Sequence, residues 1–133
     1  MMRAVIALTV LIAAVFCLAP PLAAQVGFDR RGNDYHYDLI FARQLEGLGQ
    51  PGDVIVGLST SGSSANVLAG LRKARQMKLT TLGFTGESGG RMREACDICI
   101  RVPSTTTARI QEAHLFIGHT WCEYIEDAIA QSE

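Results

Sequence analysis

The residues best suited to chemistry lie between positions 53 and 66, where four hydroxyl side chains occur close together: Ser59, Thr60, Ser61 and Ser64. A short apolar run, Val54–Leu58, precedes them, and apolar residues at helical spacing follow from Val67 onward. This order predicts a strand, a tight loop and a helix. Because a helix start offers backbone N–H groups without partners and the positive end of the helix dipole, the loop favours an anion.

The absence of lysine from the loop indicates which kind of anion it favours. No lysine occurs in residues 59–66, which disfavours a Walker-type nucleotide site. A small phosphorylated ligand, held by hydroxyls and backbone amides, fits better. A structural alternative stays open, in which Ser63 or Ser64 is only an N-cap and the other hydroxyls are turn residues.

A second group of candidate residues lies on the last predicted helix, residues 108–130. Its apolar residues recur at steps of three and four along one face: Ile110, Ala113, Ile117, Trp121, Tyr124 and Ala128. At about 100° per residue, His119 falls opposite the centre of this apolar face, where a histidine is either solvated or an acid–base group. His114 flanks the apolar face, which favours a place in the core or in an interface.

Helices and strands alternate along the rest of the chain. Apolar runs predict strands at residues 54–58, 79–85 and 98–102, and helical spacing predicts further helices at residues 35–48 and 91–95 and after the hydroxyl-rich loop. Such alternation implies parallel β-α-β units in a layered α/β sandwich. Ligands bind at the carboxyl ends of strands in these sheets, and residues 59–64 lie at one such end.

Composition narrows the classes of function. With 133 residues the chain forms one domain at most. Its net charge is −1 and its basic residues do not form a continuous row, which excludes a surface that binds nucleic acid. Cys96 and Cys99 form a C-x-x-C pair. A spacing of three along a strand sends the two side chains to opposite faces, and no second pair completes a zinc site, so we expect structural or incidental cysteines.

Longer motifs connect the chain to a known family. The sequence S-T-S-G-S-S-A-N-V, residues 59–67, resembles the phosphate-binding loop of the sugar isomerase (SIS) domain family. The motifs G-N-D-Y-x-Y-D and R-I-Q-E-x-H-x-x-x-x-H are similar to the phosphoheptose isomerase branch, and the similarity runs from about Gly32 to the C-terminus. The resemblance implies a parallel-sheet three-layer α/β sandwich of SIS (flavodoxin/Rossmann-like) type, with residues 1–31 divergent or signal-like and residues 32–133 a partial SIS domain, incomplete at its N-terminus.

The resemblance also implies an activity, the isomerisation of sedoheptulose 7-phosphate to D-glycero-D-manno-heptose 7-phosphate, a precursor for lipopolysaccharide-type polymers. The hydroxyls of the loop would hold the phosphate of the sugar. Gln111 and His119 match active-site and zinc-site residues of the family, so that Gln111 would bind substrate or metal, and His119 would bind zinc or act as acid or base. The family's remaining histidine and glutamate, on an early helix after C-G-N-G-G-S, have no counterpart here.

Helix geometry constrains this implied site. Eight residues separate Gln111 from His119, which corresponds to about 12 Å along one helix. Both cannot bind one ion from the same chain, so at least one would act across a subunit boundary. The homotetramer known for the family agrees with this, and an apolar face with a functional face opposite is typical of such a packed helix.

The first residues allow three interpretations. The first 24 residues have the composition of a secretory signal, which predicts export or membrane anchoring. A charged start, Met1-Met2-Arg3, is followed by the mostly apolar residues 4–24. Residues 4–9 are also similar to a buried strand that precedes G-N-D in SIS isomerases, although Val10 replaces an acidic substrate-binding residue. A shifted or mis-started reading frame is the third interpretation. We favour the last two and a cytoplasmic location, because a sugar-phosphate isomerase needs a cytosolic substrate pool.

Three rival functions stay open at this point, of which the third is a secreted protein, if residues 1–24 are a true signal. The first is a sugar-phosphate-binding SIS remnant without catalysis, which the missing half of the implied site favours. The second is a partner-binding protein similar to the SIS-type factor that associates with the bacterial replication initiator.

Overall fold

The computed structural model describes residues 36–131, in which helices and strands alternate after a short 3-10 turn at Tyr37–Leu39. The helices are α1 (Ile40–Leu48), α2 (Ala65–Gln76), α3 (Met92–Ala95) and α4 (Thr107–Ala130). The strands are β1 (Val54–Leu58), β2 (Thr80–Thr85) and β3 (Ile98–Arg101). The predictions about residues 1–31, including the signal and the early strand, lie outside the described residues.

The three strands form a parallel sheet in the order β1-β2-β3, with Val54 beside Thr80 and Leu82 beside Ile98. Two right-handed crossovers in the same direction place α2 and α3 on one face of the sheet. Helix α4 covers the other face, because Phe84 of β2 points away from α3 and packs its ring against α4. The predicted layered α/β sandwich with a parallel sheet is therefore confirmed.

The core lies between the sheet and helices α2 and α3. Leu68 and Leu71 of α2 and Met92 of α3 are almost completely buried there. Two glycines of the sheet, Gly57 and Gly83, are register partners that face these helices. A methyl group on Gly57 would lie 3.1 Å from Val67, and one on Gly83 would lie 2.9 Å from Met92, so the glycines allow the helices to lie close to the sheet.

The outer edge of β1 has no strand beside it within residues 36–131. An apolar groove of about 300 Å³ runs along this edge, between α1 and α2, and is lined among others by Leu45, Leu48 and Val56. Val54, at the start of β1, is 42% exposed. The described residues therefore leave part of the apolar surface of the sheet uncovered.

The two cysteines of the C-x-x-C pair do not point to opposite faces as expected. Cys96 lies before β3 begins at Ile98, and both Cys96 and Cys99 pack against the same core cluster. The expectation is wrong because side-chain alternation applies only within a strand. Burial, followed by the neighbouring Cys99, raises the pKa of Cys96 to about 11, and its Sγ donates to the Met92 carbonyl at 2.9 Å. A thiol with a raised pKa is a weak nucleophile, which agrees with a structural role.

Helix α4 is only half covered by the residues that the structure describes. Ile110 and His114 in its first half are buried, as the flanking position of His114 predicted, whereas Tyr124 in its second half is 76% exposed. The second half is exposed because α4 is longer than the sheet. Its 24 residues span about 36 Å, whereas the six residues of β2 span about 20 Å. No helix within residues 36–131 combines the length and the apolar character that a bilayer span requires.

We expect Phe84→Ala to lower the free energy of unfolding by about 3 to 5 kcal/mol, because the ring is 1% exposed and holds α4 through Trp121. The control is Tyr37→Ala, whose ring lies away from α4 and is 73% exposed, so its effect should stay within about 0.5 kcal/mol. Urea unfolding at one protein concentration, followed by the fluorescence of the only tryptophan, measures both. Equal losses in the two variants would contradict the packing described.

Candidate functional site

The hydroxyl-rich loop, residues 59–64, begins directly after β1 and ends directly before α2. Its serine side chains converge, with Ser59 Oγ 2.8 Å from Ser64 Oγ and 3.4 Å from Ser61 Oγ. Ser59 is buried, Ser64 is half-buried and Ser61 is exposed. The loop therefore presents a cluster of three hydroxyls, which we call the serine cluster, with one open side.

Ser64 occupies the N-cap position of α2, yet its side chain does not cap the helix. The hydroxyl points to Ser59 instead, and the amides of Ala65 and Asn66 have no acceptor within residues 36–131. The amide of Val67 is satisfied by Asn66 Oδ1 at 2.9 Å. Capping alone thus does not explain these hydroxyls, and two unpaired N–H groups lie where the helix dipole favours a negative charge.

A second loop, residues 86–91 after β2, packs backbone to backbone against the first. The amide of Met92 donates to the Gly62 carbonyl at 2.9 Å, and the amide of Gly86 donates to the Thr60 carbonyl at 3.0 Å. Gly62 and Gly90 both have positive φ, at 64° and 47°. A side chain on Gly90 would collide with the carbonyl oxygens of the serine loop, so only glycine allows this approach.

A polar cavity of about 430 Å³ opens beside the serine cluster, where the carboxyl ends of all three strands meet. Six of the side chains that line it carry hydroxyls: Thr60, Ser61, Ser88, Ser104, Thr105 and Thr107. Ile110 adds an apolar surface, and Glu87 is the one charged residue that lines it. Such a mixture of hydroxyls, one carboxylate and one apolar residue suits a polyhydroxylated ligand.

The sequence pattern did not single out the cavity-lining residues that follow β2 and β3. Glu87 and Ser88 follow β2, and Ser104, Thr105 and Thr107 follow β3. The signal for them was present, because ligands bind at the carboxyl ends of parallel strands in general. The same rule points to the ends of β2 and β3 as well as to the end of β1.

Two arginines lie around this edge of the sheet. Arg91 Nη2 donates to the Ser63 carbonyl at 3.4 Å, and Arg101 Nη1 donates to the Glu87 carbonyl at 3.3 Å. Both side chains are exposed and each binds a backbone carbonyl of one loop. Their positive charge adds to the helix dipole and favours an anion near the serine cluster.

Gln111 and His119 are both exposed on α4, as predicted for His119. Gln111 directly follows Ile110, which lines the cavity, whereas His119 lies 12 residues after Thr107, which corresponds to about 18 Å of helix. The structure thus brings Ser59, Thr60, Ser61 and Ser64 to one edge of the sheet, and it does not bring His119 to that edge.

The metal prediction can be tested against the donor set. Within residues 36–131, no three His, Cys, Asp or Glu side chains lie close enough together to hold an ion. Gln111 and His119 are separated by about 12 Å along α4. The described residues of one chain do not fit a zinc site.

Comparisons with known proteins agree with the observed fold and with the resemblance of residues 59–67 to a loop of the SIS domain family. A model of the SIS domain family matches residues 4–86. The phosphoheptose isomerase of Rhodospirillum rubrum is 54% identical over 98 residues, which are 74% of this chain and 52% of that protein.

Solved structures give the same result. The phosphoheptose isomerase GmhA of Neisseria gonorrhoeae is 41% identical with a TM-score of 0.68, and the match covers 71% of this chain and 54% of that one. A phosphoheptose isomerase from Francisella tularensis is 37% identical with a TM-score of 0.69, over 72% of this chain and 52% of that one. The chain spans about half the length of the relatives it matches. It belongs to the SIS domain family, and its similarity to the phosphoheptose isomerases extends over about three quarters of its residues.

Proposed function

We propose that this chain binds a phosphorylated sugar and takes part in the isomerisation of sedoheptulose 7-phosphate to D-glycero-D-manno-heptose 7-phosphate. One observation carries the proposal: the serine cluster faces the start of α2, where the amides of Ala65 and Asn66 have no acceptor within the described chain. Three hydroxyls and two amides provide donors for the oxygens of a phosphate ester, without a lysine. The relatives named phosphoheptose isomerase support the choice of sugar.

The polar cavity suggests how the sugar is oriented. A phosphate at the serine cluster avoids the carboxylate of Glu87, because like charges repel, and so the sugar chain extends into the cavity. The hydroxyls of Thr105 and Thr107 then lie beside the sugar hydroxyls, to which they can both donate and accept. Glu87 accepts hydrogen bonds from the end of the sugar that carries no charge.

Isomerisation moves a proton between C1 and C2 through an enediol, which requires an acid and a base. We assign one of these roles to His119. Its distance of about 18 Å from Thr107 along α4 separates it from the serine cluster of its own chain. His119 therefore serves the site of a neighbouring copy, and the exposed second half of α4 supports a homo-oligomer, a tetramer by resemblance to the family.

Zinc, location and pathway stay predictions from the resemblance. Gln111 and His119 are the residues proposed to bind zinc, and since the described residues do not fit a complete site, no catalytic step depends on the ion. A cytoplasmic location follows from the substrate, because sugar phosphates are cytosolic metabolites. The product is of the kind used for lipopolysaccharide-type precursors.

A binding protein without catalysis is the second candidate. It is favoured by the incomplete match to the family's motifs, since the family's remaining histidine and glutamate have no counterpart in this sequence. Titration calorimetry with sedoheptulose 7-phosphate, followed by an assay for the aldose product with and without added zinc, separates the two functions. Saturable binding with turnover supports the isomerase, and binding without turnover supports the second candidate. Absence of binding by folded protein overturns both.

We expect Ser61→Ala combined with Ser64→Ala to raise the Kd for sugar phosphate by tenfold or more. Hydrogen bonds to a charged group contribute about 1.5 to 3 kcal/mol each, which sets this scale. Ser63→Ala is the control, because its exposed hydroxyl lies outside the serine cluster. Calorimetry gives the affinities and a thermal melt gives the stability. A large drop in Tm with unchanged affinity would show that the hydroxyls serve folding only.

Gly90→Ala should separate the two loops and raise the Kd by at least tenfold. The added methyl group would lie 2.6 Å from the Gly62 carbonyl oxygen and would occupy a backbone conformation with φ of 47° that alanine disfavours. Gly118→Ala on α4 is the matched control, since no atom lies within 4 Å of its added carbon. Equal affinities of the two variants would exclude the loop contact from the site.

His119→Ala should leave the Kd for sugar phosphate within about twofold and lower kcat at least a hundredfold, the usual scale of acid–base catalysis. Glu123→Ala, one turn further along the exposed side of α4, is the control and should keep its activity. Steady-state kinetics measure both. Unchanged kcat in the histidine variant would remove His119 from the mechanism.

A further inference from the structure

Three consecutive residues at the carboxyl end of β2 hold both sides of the polar cavity. The carbonyl of Phe84 accepts from the amide of Ser59 at 3.0 Å, and the amide of Gly86 donates to the Thr60 carbonyl at 3.0 Å. The carbonyl of Thr85 accepts from the amide of Val102 at 2.9 Å. The serine loop and the segment that leads into α4 are therefore both attached to this strand end.

His114 adds a side-chain bond at the same place. Its Nε2 lies 3.2 Å from the Thr85 carbonyl oxygen, and the ring is 4% exposed and packs against Phe84 with centroids 5.6 Å apart. A carbonyl only accepts hydrogen bonds, so Nε2 carries the proton. The bond fixes the orientation of the ring, because it requires a hydrogen on Nε2.

No carboxylate within residues 36–131 forms an ion pair with the His114 ring. The residues packed against it on β2, Phe84 and Thr85, do not titrate. On β3, Arg101 is the register partner of Thr85 and directs Nη1 to the Glu87 carbonyl. On α4, Arg109 and Glu112 are exposed and pair with each other at 2.6 Å.

The position of His114 on α4 connects this bond to the cavity. Ile110, one turn earlier, lines the cavity and lies so close to Gly86 that an added methyl group there would be 2.6 Å from Ile110 Cδ1. Gln111 lies between the two, three residues before His114. Because a helix moves as a rigid rod, a bond at His114 sets the distance of Ile110 and Gln111 from the serine loop.

We propose that His114 is a positioning residue of the sugar-phosphate site, in which its Nε2–H bond to Thr85 fixes the width of the cavity between α4 and the serine loop. The inference rests on the proposed function, because it concerns the same site. It assigns no contact between His114 and the ligand. The site requires a hydrogen-bond donor at position 114, and a neutral side chain can provide it.

The direction of the pH effect follows from the burial of the ring. Burial lowers the pKa of His114 below its ordinary value of 6.5, against the opposing effect of the Thr85 carbonyl. A histidine with a lowered pKa contributes its full stabilisation above the pKa of the unfolded chain and loses it as the pH falls through the folded pKa. Acid therefore favours states in which the charged ring reaches water, so we expect the docking of α4 around His114 to weaken as the pH falls below about 6.5.

Two substitutions of His114 distinguish the effect of its hydrogen bond from the effect of its ring volume. His114→Gln keeps an N–H donor at similar reach and does not titrate, whereas His114→Leu fills the space without a donor. Calorimetric titration with sedoheptulose 7-phosphate between pH 7.5 and 5.5 gives the Kd of each protein. Dividing each variant's Kd by the wild-type Kd at the same pH cancels the titration of the phosphate. Acrylamide quenching of Trp121, which packs on Phe84, reports the docking of α4 without any ligand.

At pH 7.5 we expect His114→Leu to raise the Kd about fivefold to tenfold, the scale of one lost hydrogen bond, and His114→Gln to stay within about threefold. Toward pH 5.5 the wild-type protein should weaken relative to His114→Gln, and Trp121 should become more accessible in the wild type only. Equal Kd values and equal quenching in all three proteins would overturn the positioning role while the proposed function stands.

Two other outcomes have distinct meanings. Absence of binding by wild-type protein at pH 7.5 would overturn the proposed function, and the positioning role with it. If His114→Leu does not fold, the glutamine variant and the quenching of Trp121 decide the matter, and a pH-dependent exposure of Trp121 that persists in His114→Gln would overturn the proposal.

Discussion

Two facing glycines determine how closely the helices approach the sheet. Gly57 of β1 and Gly83 of β2 are register partners, and the space that their side chains would fill is occupied by atoms of α2 and of the segment around α3. Because α2 lies so close to β1, a loop of six residues is long enough to connect them. The start of α2 is therefore held directly above the end of β1, and the serine cluster depends on this short connection.

The polar side chains at this connection do not cap the start of α2. A capping side chain would satisfy the first amides of α2 and stabilise the helix by about 1 kcal/mol. Ser64 instead directs its hydroxyl to Ser59, and the amides of Ala65 and Asn66 stay available. Local stability is lower than it would be with a cap, which is the usual relation between stability and a functional site.

Helix α4 combines two roles along its length. Its first turns form one wall of the polar cavity through Ile110 and bind the end of β2 through His114. Its later turns extend past the sheet and expose large apolar side chains such as Phe116 and Tyr124. Apolar surface of this extent along a helix is typical of contact with another protein surface. The residues proposed to serve one site thus lie at different heights on a single helix.

Much of the fold was predictable because local patterns determine it. The run Val54–Leu58 and the helical spacing around Ile110 indicated the strands and helices, and alternation of the two indicated a parallel α/β sheet. The serine-rich loop was identified for a similar reason, since the free amides of a helix start are a property of the chain itself. The same holds for His119, whose exposed side follows from the period of the helix.

Tertiary structure alone decided which residues meet. The C-x-x-C pair shares one side because Cys96 precedes the strand, and spacing does not reveal where a strand begins. The backbone contact of Gly62 with Gly90, and the cavity that joins Thr60 to Thr105, unite segments distant along the chain. Sequence determined the elements and the chemistry of the loop, because these depend on neighbours a few residues away. Packing determined the cavity and the bond of His114 to Thr85, because these depend on the close approach of separate strands and helices.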